Sequence, residues 1–378
     1  MKSKMTRMTA LALAGAMSVA GTAVAGELVY SSFLPDTHYD NAYVMKRFSD
    51  SISEASGGKL SLSISGGGVL ASATTQFEAI SKGIVDAGNV TYAYTPSLAP
   101  AVTLVADMPG TIQQVSAAAV TETLMLDCPQ CKEELDALGV TFVANASTEP
   151  FSLICTKKDV ASLADLKGAK VRATGALARL MAAVGATPVN ITFAEIYEGF
   201  QRGQIDCTAI GAATLATLQL WDVADSVTVE LPLGTVTHYG LLLVNSGVWN
   251  GLSAEDKRVM LDAAPGIVAD NGYVTLKSSG EAMVTATTEK SMKAVEADPE
   301  LQAAVKEALA KQADDAVASA RDRGVKDPEA IVAAFTSNVD KWTQIYNEIG
   351  SDGNWNDDQW ATFRARLKSE IYDNVSVQ

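Results

Sequence analysis

Apolar and polar positions switch between two periods along the chain, most cleanly at 167–210, KGAKVRATGALARLMAAVGATPVNITFAEIYEGFQRGQIDCTAI. KVRA reads as a short strand with Arg172 at its exit. ALARLMAAVG has the spacing of an amphipathic helix, ended by Gly185. TPVNI returns as a strand, and TFAEIYEGFQRG follows as a second helix. Thr192 and Glu195 stand three apart, as in a capping box, and Gly203 stops that helix. QIDCTAI is the next strand. Strands alternating with helices of this length predict a parallel sheet, its ligand site lying beyond the carboxyl ends of the strands. Arg172 stands at such an end.

Upstream, the pattern predicts a strand at 28–33, a helix at 41–56 closed by Gly57-Gly58, and an alternating strand at 59–65. The glycines at 66–68 read as a turn; they lack GxGxxG spacing and a Walker lysine, so a phosphate loop is not supported. A helix at 75–82 stopped by Gly83 precedes a strand at 86–92. Residues 98–108 are apolar, 111–138 mostly helical, 139–145 a strand, and 148–155 a lead into a second lobe. Downstream come a helix at 215–224 and an extended stretch at 227–233. YGLLLVN at 239–245 has the uncharged pattern of a central strand, placing the chain back in the first lobe. From 253 to 320 the pattern is almost unbroken helix, with a break near Pro265-Gly266, as for a spine packed along both lobes. A further helix follows Pro328, and a last one spans 359–374.

Two segments match at an offset of 120 residues, FEAISKGIVD at 77–86 and YEGFQRGQID at 197–206. Both run aromatic, Glu, x, apolar, x, basic, Gly, x, apolar, Asp where a helix gives way to a strand. One domain's length separates them, which favours two βαβ lobes of similar build over a short-period repeat.

Composition is globular, with 48% hydrophobic and 19% charged residues in 378. The net charge of -15 argues against a nucleic-acid partner. Lys2, Lys4 and Arg7 precede an uncharged Ala/Gly-rich run ending in Ala23-Val24-Ala25, the form of an export leader at 1–25 with the mature chain starting at Gly26. Four cysteines suit an oxidising compartment. Cys128 and Cys131 have CxxC spacing within a predicted helix and read as a structural disulfide, against a redox pair or a metal site. Only two histidines exist in the chain, His38 and His238, and neither adjoins them. Cys155 and Cys207 each fall in a predicted strand; buried thiols and a second bridge both remain open.

The segments LADLKGAKVR, GATPVNITFAEIYEGFQRGQIDC and THYGLLLVNSGVWNGLSAEDK resemble the DctP-type substrate-binding proteins of TRAP (tripartite ATP-independent periplasmic) transporters. The likeness covers most of the mature chain, with weaker support from GGKLSLSI and FEAISKGIVDAG. It implies an α/β, two-lobed periplasmic solute-binding fold with crossing strands and a long C-terminal spine helix. Residues 26–149 with 236–277 then form lobe I and 150–235 lobe II, and a helical region at 278–378 packs along both.

By the resemblance, Arg172 is the carboxylate-binding arginine, whose planar fork makes paired charge-assisted bonds. Phe193 matches an aromatic position on the ligand, while Glu195 and Tyr197 read as cap and core. Two positions depart from the family pattern. Where some relatives carry a second arginine, this chain has Ser152, and where many carry an asparagine, it has Ile210. Both changes remove polar groups, so a ligand with one carboxylate and a less polar remainder is expected over a dicarboxylate or sialic acid. Phe33, Asn89, Thr91 and Tyr92 are expected to face the cleft at strand ends, with Phe33 and Tyr92 as an aromatic wall that also suits a cationic head group. The implied function is a periplasmic, monomeric solute receptor that hands a small organic acid to TRAP membrane permease subunits. No cofactor, metal or nucleic acid is expected. The alternatives are a sensor partner of the same fold and a CxxC thiol oxidoreductase; no GxSxG or HExxH spacing supports a hydrolase.

Overall fold

The computed structural model describes residues 26–110, 112–237 and 239–377; the leader and its cleavage site lie outside the described residues. The strands run, in chain order, β1 (Glu27–Ser31), β2 (Ser61–Ser65), β3 (Ala87–Thr91), β4 (Val140–Ala146), β5 (Ser152–Cys155) and β6 (Lys170–Arg172). They continue as β7 (Thr187–Val189), β8 (Cys207–Ile210), β9 (Ser226–Val229), β10 (Tyr239–Asn245) and β11 (Lys293–Glu296). One sheet has the order β2-β1-β3-β10-β4 and the other β7-β6-β8-β5-β9-β11. Within each, a single strand runs antiparallel to its neighbours: β10 against β3 and β4, β5 against β8 and β9. Each antiparallel strand is the one that arrives from the other lobe. The chain leaves lobe I after β4 to form β5, and leaves lobe II after β9 to form β10.

The ten-residue repeat has the same structure in both lobes. Helix Gln76–Ser81 and helix Ile196–Gln201 each end on a glycine in the left-handed region, Gly83 (φ 65) and Gly203 (φ 64). Each aspartate then clasps the neighbouring strand. The Asp86 carboxylate accepts the Val29 amide at 2.8 Å, and Asp206 accepts the Lys170 amide at 2.8 Å. Their own amides donate back, to Val29 at 3.1 Å and to Lys170 at 2.7 Å. The repeat thus fixes the start of β1 against β3 and of β6 against β8.

Helix Ala254–Thr288 is 35 residues, about 52 Å at 1.5 Å per residue. Its first half buries Met260, Leu261, Ile267 and Val268 in the lobe I core, and Ala282 and Ala286 lie in the lobe II core. It continues through Pro265, where the sequence predicts a break; that residue is buried within the packed helix, and tertiary contacts outweigh the lost hydrogen bond. The predicted spine does end before 320. Ser291 turns at positive φ, β11 joins the lobe II sheet, and Asp298 caps a new helix, Pro299–Asp322. That helix also bridges, with Leu301 and Val305 in the lobe II core and Ala316 and Ala320 in that of lobe I. Helices Pro328–Gly350 and Asp357–Glu370 contribute their buried Phe335, Trp342, Trp360 and Phe363 to lobe I.

Both cysteine pairs are bridged. Cys128–Cys131 sits at the start of helix Pro129–Ala137 rather than inside a continuous helix, with Cys128 as its N-cap. Cys155–Cys207 joins directly opposed residues of β5 and β8.

Candidate ligand-binding site

The carboxyl ends of β1, β3, β6 and β8 meet the two crossing segments around one cavity. It has an empty volume of about 560 Å³, open mouth included. Phe33 and Leu34 enter from β1, Thr91 and Tyr94 from β3, Arg172 from β6, and Ile210, Gly211 and Thr214 from β8. The crossings add Thr148, Glu149, Phe151 and Tyr239, and the turn after β1 adds His38 and Tyr39. Phe193 completes the wall.

Arg172 is 5% exposed at the end of the three-residue strand KVR. Its Nε donates to the Ile191 carbonyl at 3.1 Å and one Nη2 hydrogen to the Tyr94 hydroxyl at 3.1 Å. Three of its five N–H donors make no bond among the described residues. No described carboxylate stands within ion-pair distance of it. Glu195, the nearest influence, is committed to its own capping box with Thr192. The Glu195 carboxyl is held below its ordinary range by the Thr192 hydroxyl and amide, and by Arg172 more weakly. Tyr94 reaches across from lobe I, edge-on to Phe33 at 6.2 Å, and its oxygen also accepts the Phe193 amide at 3.0 Å.

Of the residues singled out from sequence, Arg172, Phe193, Phe33, Thr91 and Ile210 are brought together here. Ser152, Asn89 and Tyr92 are not among the lining residues. Ser152 sits in β5 opposite Ile210. Asn89 is buried behind the wall, where its Oδ1 accepts the Phe33 amide at 3.2 Å and fixes the exit of β1. Tyr92 packs into the lobe I core against Phe77. The reason is local: β3 stops at Thr91 and a 3₁₀ turn, Tyr92–Tyr94, carries Tyr94 rather than Tyr92 to the cleft. Period-two reasoning carried the strand one residue too far to see this.

Glu149 belongs to no motif in the sequence, although it is the one charged residue between Asp136 and Lys157. It is 3% exposed. Its Oε1 accepts the Ala213 amide at 2.9 Å, and Ser279 approaches it from the spine helix. A Cβ on Gly211 would lie 2.4 Å from the Glu149 carboxyl carbon, so only glycine leaves space for the group. Burial, opposed by the Ala213 amide and reinforced by Asp40, raises its pKa to about 7.

Behind the cavity, Asp40 accepts from Asn271 Nδ2 at 2.9 Å and from the Tyr239 hydroxyl at 3.1 Å. Asn271 Oδ1 accepts the Ser147 amide at 3.0 Å. This buried set ties both crossings to the spine helix. Burial raises Asp40 to about 7 and lowers His38 to about 3. His38 is therefore neutral at physiological pH; its Nδ1 accepts the Asp40 amide, and its ring meets Phe193 edge-on. The crossings pair with each other through Thr148 N to Val236 O at 2.9 Å and Phe151 N to Gly234 O at 2.9 Å. Across the cleft, Asp107 of lobe I accepts from the Ala176 amide and Arg179 of lobe II at 3.3 and 3.0 Å.

A family model described as bacterial extracellular solute-binding protein, family 7 (DctP), matches residues 30–320. A curated solute-binding protein of Sulfitobacter sp. (strain NAS-14.1) is 30% identical over 112 residues, 29% of this chain; the chain spans about a third (33%) of that relative's length. Among solved structures, a TRAP periplasmic solute-binding protein of Bordetella bronchiseptica with bound (R)- and (S)-mandelate superposes at TM-score 0.73 and 24% identity, covering 84% of this chain and 99% of that one. A marine metagenome TRAP solute-binding protein, specific for aromatic acids and in complex with 3-hydroxybenzoate, gives 0.74 at 22% identity over 84% and 98%. A Bordetella pertussis extracytoplasmic solute receptor binding pyroglutamic acid gives 0.69 at 21% over 82% and 99%. At these identities the structures establish a shared two-lobed fold.

Proposed function

The chain belongs to the DctP family of bacterial extracellular solute-binding proteins, and on that premise we propose that it is the periplasmic receptor of a TRAP transporter, capturing a small organic acid with one carboxylate. Membership in a solute-binding family sets aside the thiol-oxidoreductase reading. On this proposal the leader at 1–25 is removed on export. The monomer closes lobe I (26–149 and 236–277) on lobe II (150–235), braced by the helical region 278–378, and delivers its ligand to membrane permease subunits.

The observation that carries the ligand class is Arg172, buried at the cavity wall with three donors uncommitted and no described carboxylate partner. A buried guanidinium left so is costly, and a ligand carboxylate resolves it with two parallel charge-assisted bonds. Tyr94 adds a second donor. Its oxygen already accepts from Arg172 and Phe193, so its proton remains to be donated to the ligand. No other described Lys or Arg lines the cavity, which supports one carboxylate rather than two. Phe33, Tyr94, Phe151 and Phe193 offer ring faces and edges to a planar or apolar body. The mandelate and 3-hydroxybenzoate bound by structural relatives have this form.

A thermal-shift panel of ring-bearing monocarboxylates (mandelate, 3-hydroxybenzoate) and C4-dicarboxylates (succinate, malate) tests the reading. At 100 times its Kd a ligand adds about 2.7 kcal/mol of stability. Monocarboxylates should raise Tm and the dicarboxylates should not; the reverse order overturns the assignment.

A further inference from the structure

Among the described residues, the cavity wall carries one guanidinium, Arg172, and one carboxyl, Glu149. The carboxyl is built in rather than incidental. It stands on the first crossing segment, one of its oxygens takes the Ala213 amide, and the glycine at 211 leaves room for it above the exit of β8. No described cation lies within ion-pair distance. The groups that share its surroundings are Asp40, Tyr39, His38, Tyr239 and Arg172. Asp40 is acidic and buried, His38 neutral, the tyrosines uncharged and Arg172 beyond ion-pair distance, so none of these pairs with it. A carboxylate has about four lone-pair sites, and the Ala213 amide, the Glu149 amide and Ser279 account for three, leaving one for a ligand.

An uncompensated carboxyl in a cavity that receives an anion is unfavourable for a plain acid, because the carboxyl must either face a like charge in a poorly solvated space or take up a proton. It is favourable for a ligand that carries its own donor. We propose that Glu149 is a second recognition point, taking a hydrogen-bond donor from the ligand. The ligand class is then a small carboxylic acid that also bears an ammonium, amide N–H or hydroxyl, rather than a plain aromatic or aliphatic monoacid. This rests on the receptor reading above and narrows it. It accounts for a pairing that the arginine alone does not: one wall group for the carboxylate, one for the remainder, with ring faces between. Thr148 and Thr214, also on the wall, can orient the donor without replacing the carboxyl.

The test is isothermal titration of matched probes against wild type, Glu149→Gln and Arg172→Ala. The probes are phenylacetate, mandelate and phenylglycine, with benzoate, 3-hydroxybenzoate and 3-(aminomethyl)benzoate as a second series. In wild type at least one donor-bearing acid should bind about tenfold or more tightly than its parent, the effect of one charge-assisted bond. Glu149→Gln should collapse that preference while leaving the parent's affinity equal or better. Wild type alone supplies a second readout if the variant folds poorly. Titration of the ammonium probe in two buffers of different ionisation heat at pH 7 should reveal proton release, because a cation at Glu149 favours its ionised form. If no donor-bearing acid outbinds its parent in wild type, or if Glu149→Gln preserves the order of affinities, the proposal is overturned. Loss of all binding in Arg172→Ala supports the receptor reading whatever Glu149 does. Undiminished binding there overturns that reading and leaves the Glu149 comparison to be judged by its own two arms.

Discussion

Asp107 offers the sharpest test of whether the lobes close by a defined latch. It follows helix Pro100–Ala106 in lobe I and is nearly buried, yet both its carboxylate partners belong to helix Gly175–Ala183 of lobe II. Arg179 keeps 30% side-chain exposure. Its charge-assisted bond is therefore discounted for solvent from about 1.5–3 to about 1–2 kcal/mol. The Ala176 amide adds about 1 kcal/mol. Asp107→Ala removes both, so the joined arrangement should lose about 2–3 kcal/mol, roughly 30- to 150-fold in the equilibrium between separated and joined lobes. The ligand must supply what the latch no longer does, and its apparent affinity should fall by up to that factor. Asp107→Asn, which keeps an acceptor for Ala176 but loses the charge, should fall between. Small-angle scattering gives the radius of the empty protein and calorimetry the affinity. Asp107→Ala with an unchanged empty-state radius and unchanged affinity would refute the latch.

Three further outcomes follow from the same structure. Burial raises Glu149 from 4.5 to about 7, so the native state holds a proton that the unfolded chain has released; the stability this gives is full below about pH 4.5 and is lost as pH rises through 7. Empty Glu149→Gln should thus melt above wild type at pH 8, with the gap closing by pH 5, and a gap that is constant with pH contradicts the burial argument. The Cys155–Cys207 bridge closes a 52-residue separation, for which the chain-entropy expression gives about 4 kcal/mol, far more than for the separation of 3 at Cys128–Cys131. Urea unfolding of Cys155→Ser/Cys207→Ser should show that loss, and a cost under about 1 kcal/mol counts against it. Asp86→Asn and Asp206→Asn should each cost about 1–2 kcal/mol by chemical denaturation, since each loses a charge-assisted bond to a strand amide; two neutral results would sink the duplicated clasp.

Local chemistry carried most of the fold in the sequence. The capping box at Thr192 and Glu195, the stop at Gly203 and the aspartate that follows are decisions made within ten residues, and they read correctly one by one. The two lobes became visible because that local code occurs twice. What sequence could not weigh was the competition between a local rule and distant packing. Pro265 breaks isolated helices, but here a buried helix face holds it in place. β11 lies in an Ala- and Glu-rich stretch whose propensity favours helix, and the edge of a sheet formed by residues far upstream recruits it. The site divides along the same line. Arg172 and Phe193, both on the cavity wall, lie in the stretch that resembles the DctP family and were singled out from that resemblance. Tyr94 depends on where a strand gives way to a single 3₁₀ turn, and Glu149 on a chain crossing that aligns it with Gly211 only in three dimensions.

On the proposed function, a buried guanidinium with no described carboxylate partner anchors the ligand's carboxylate between the lobes. Isothermal titration of wild type, Arg172→Lys and Arg172→Ala with the acid that gives the largest thermal shift tests it most directly. Lysine keeps the charge but lacks the planar fork that also holds Tyr94 and the Ile191 carbonyl, so affinity should fall. Alanine should bind about 100-fold or more weakly, the loss of about 3 kcal/mol, while circular dichroism shows an intact fold. Wild-type affinity in Arg172→Ala would contradict the account.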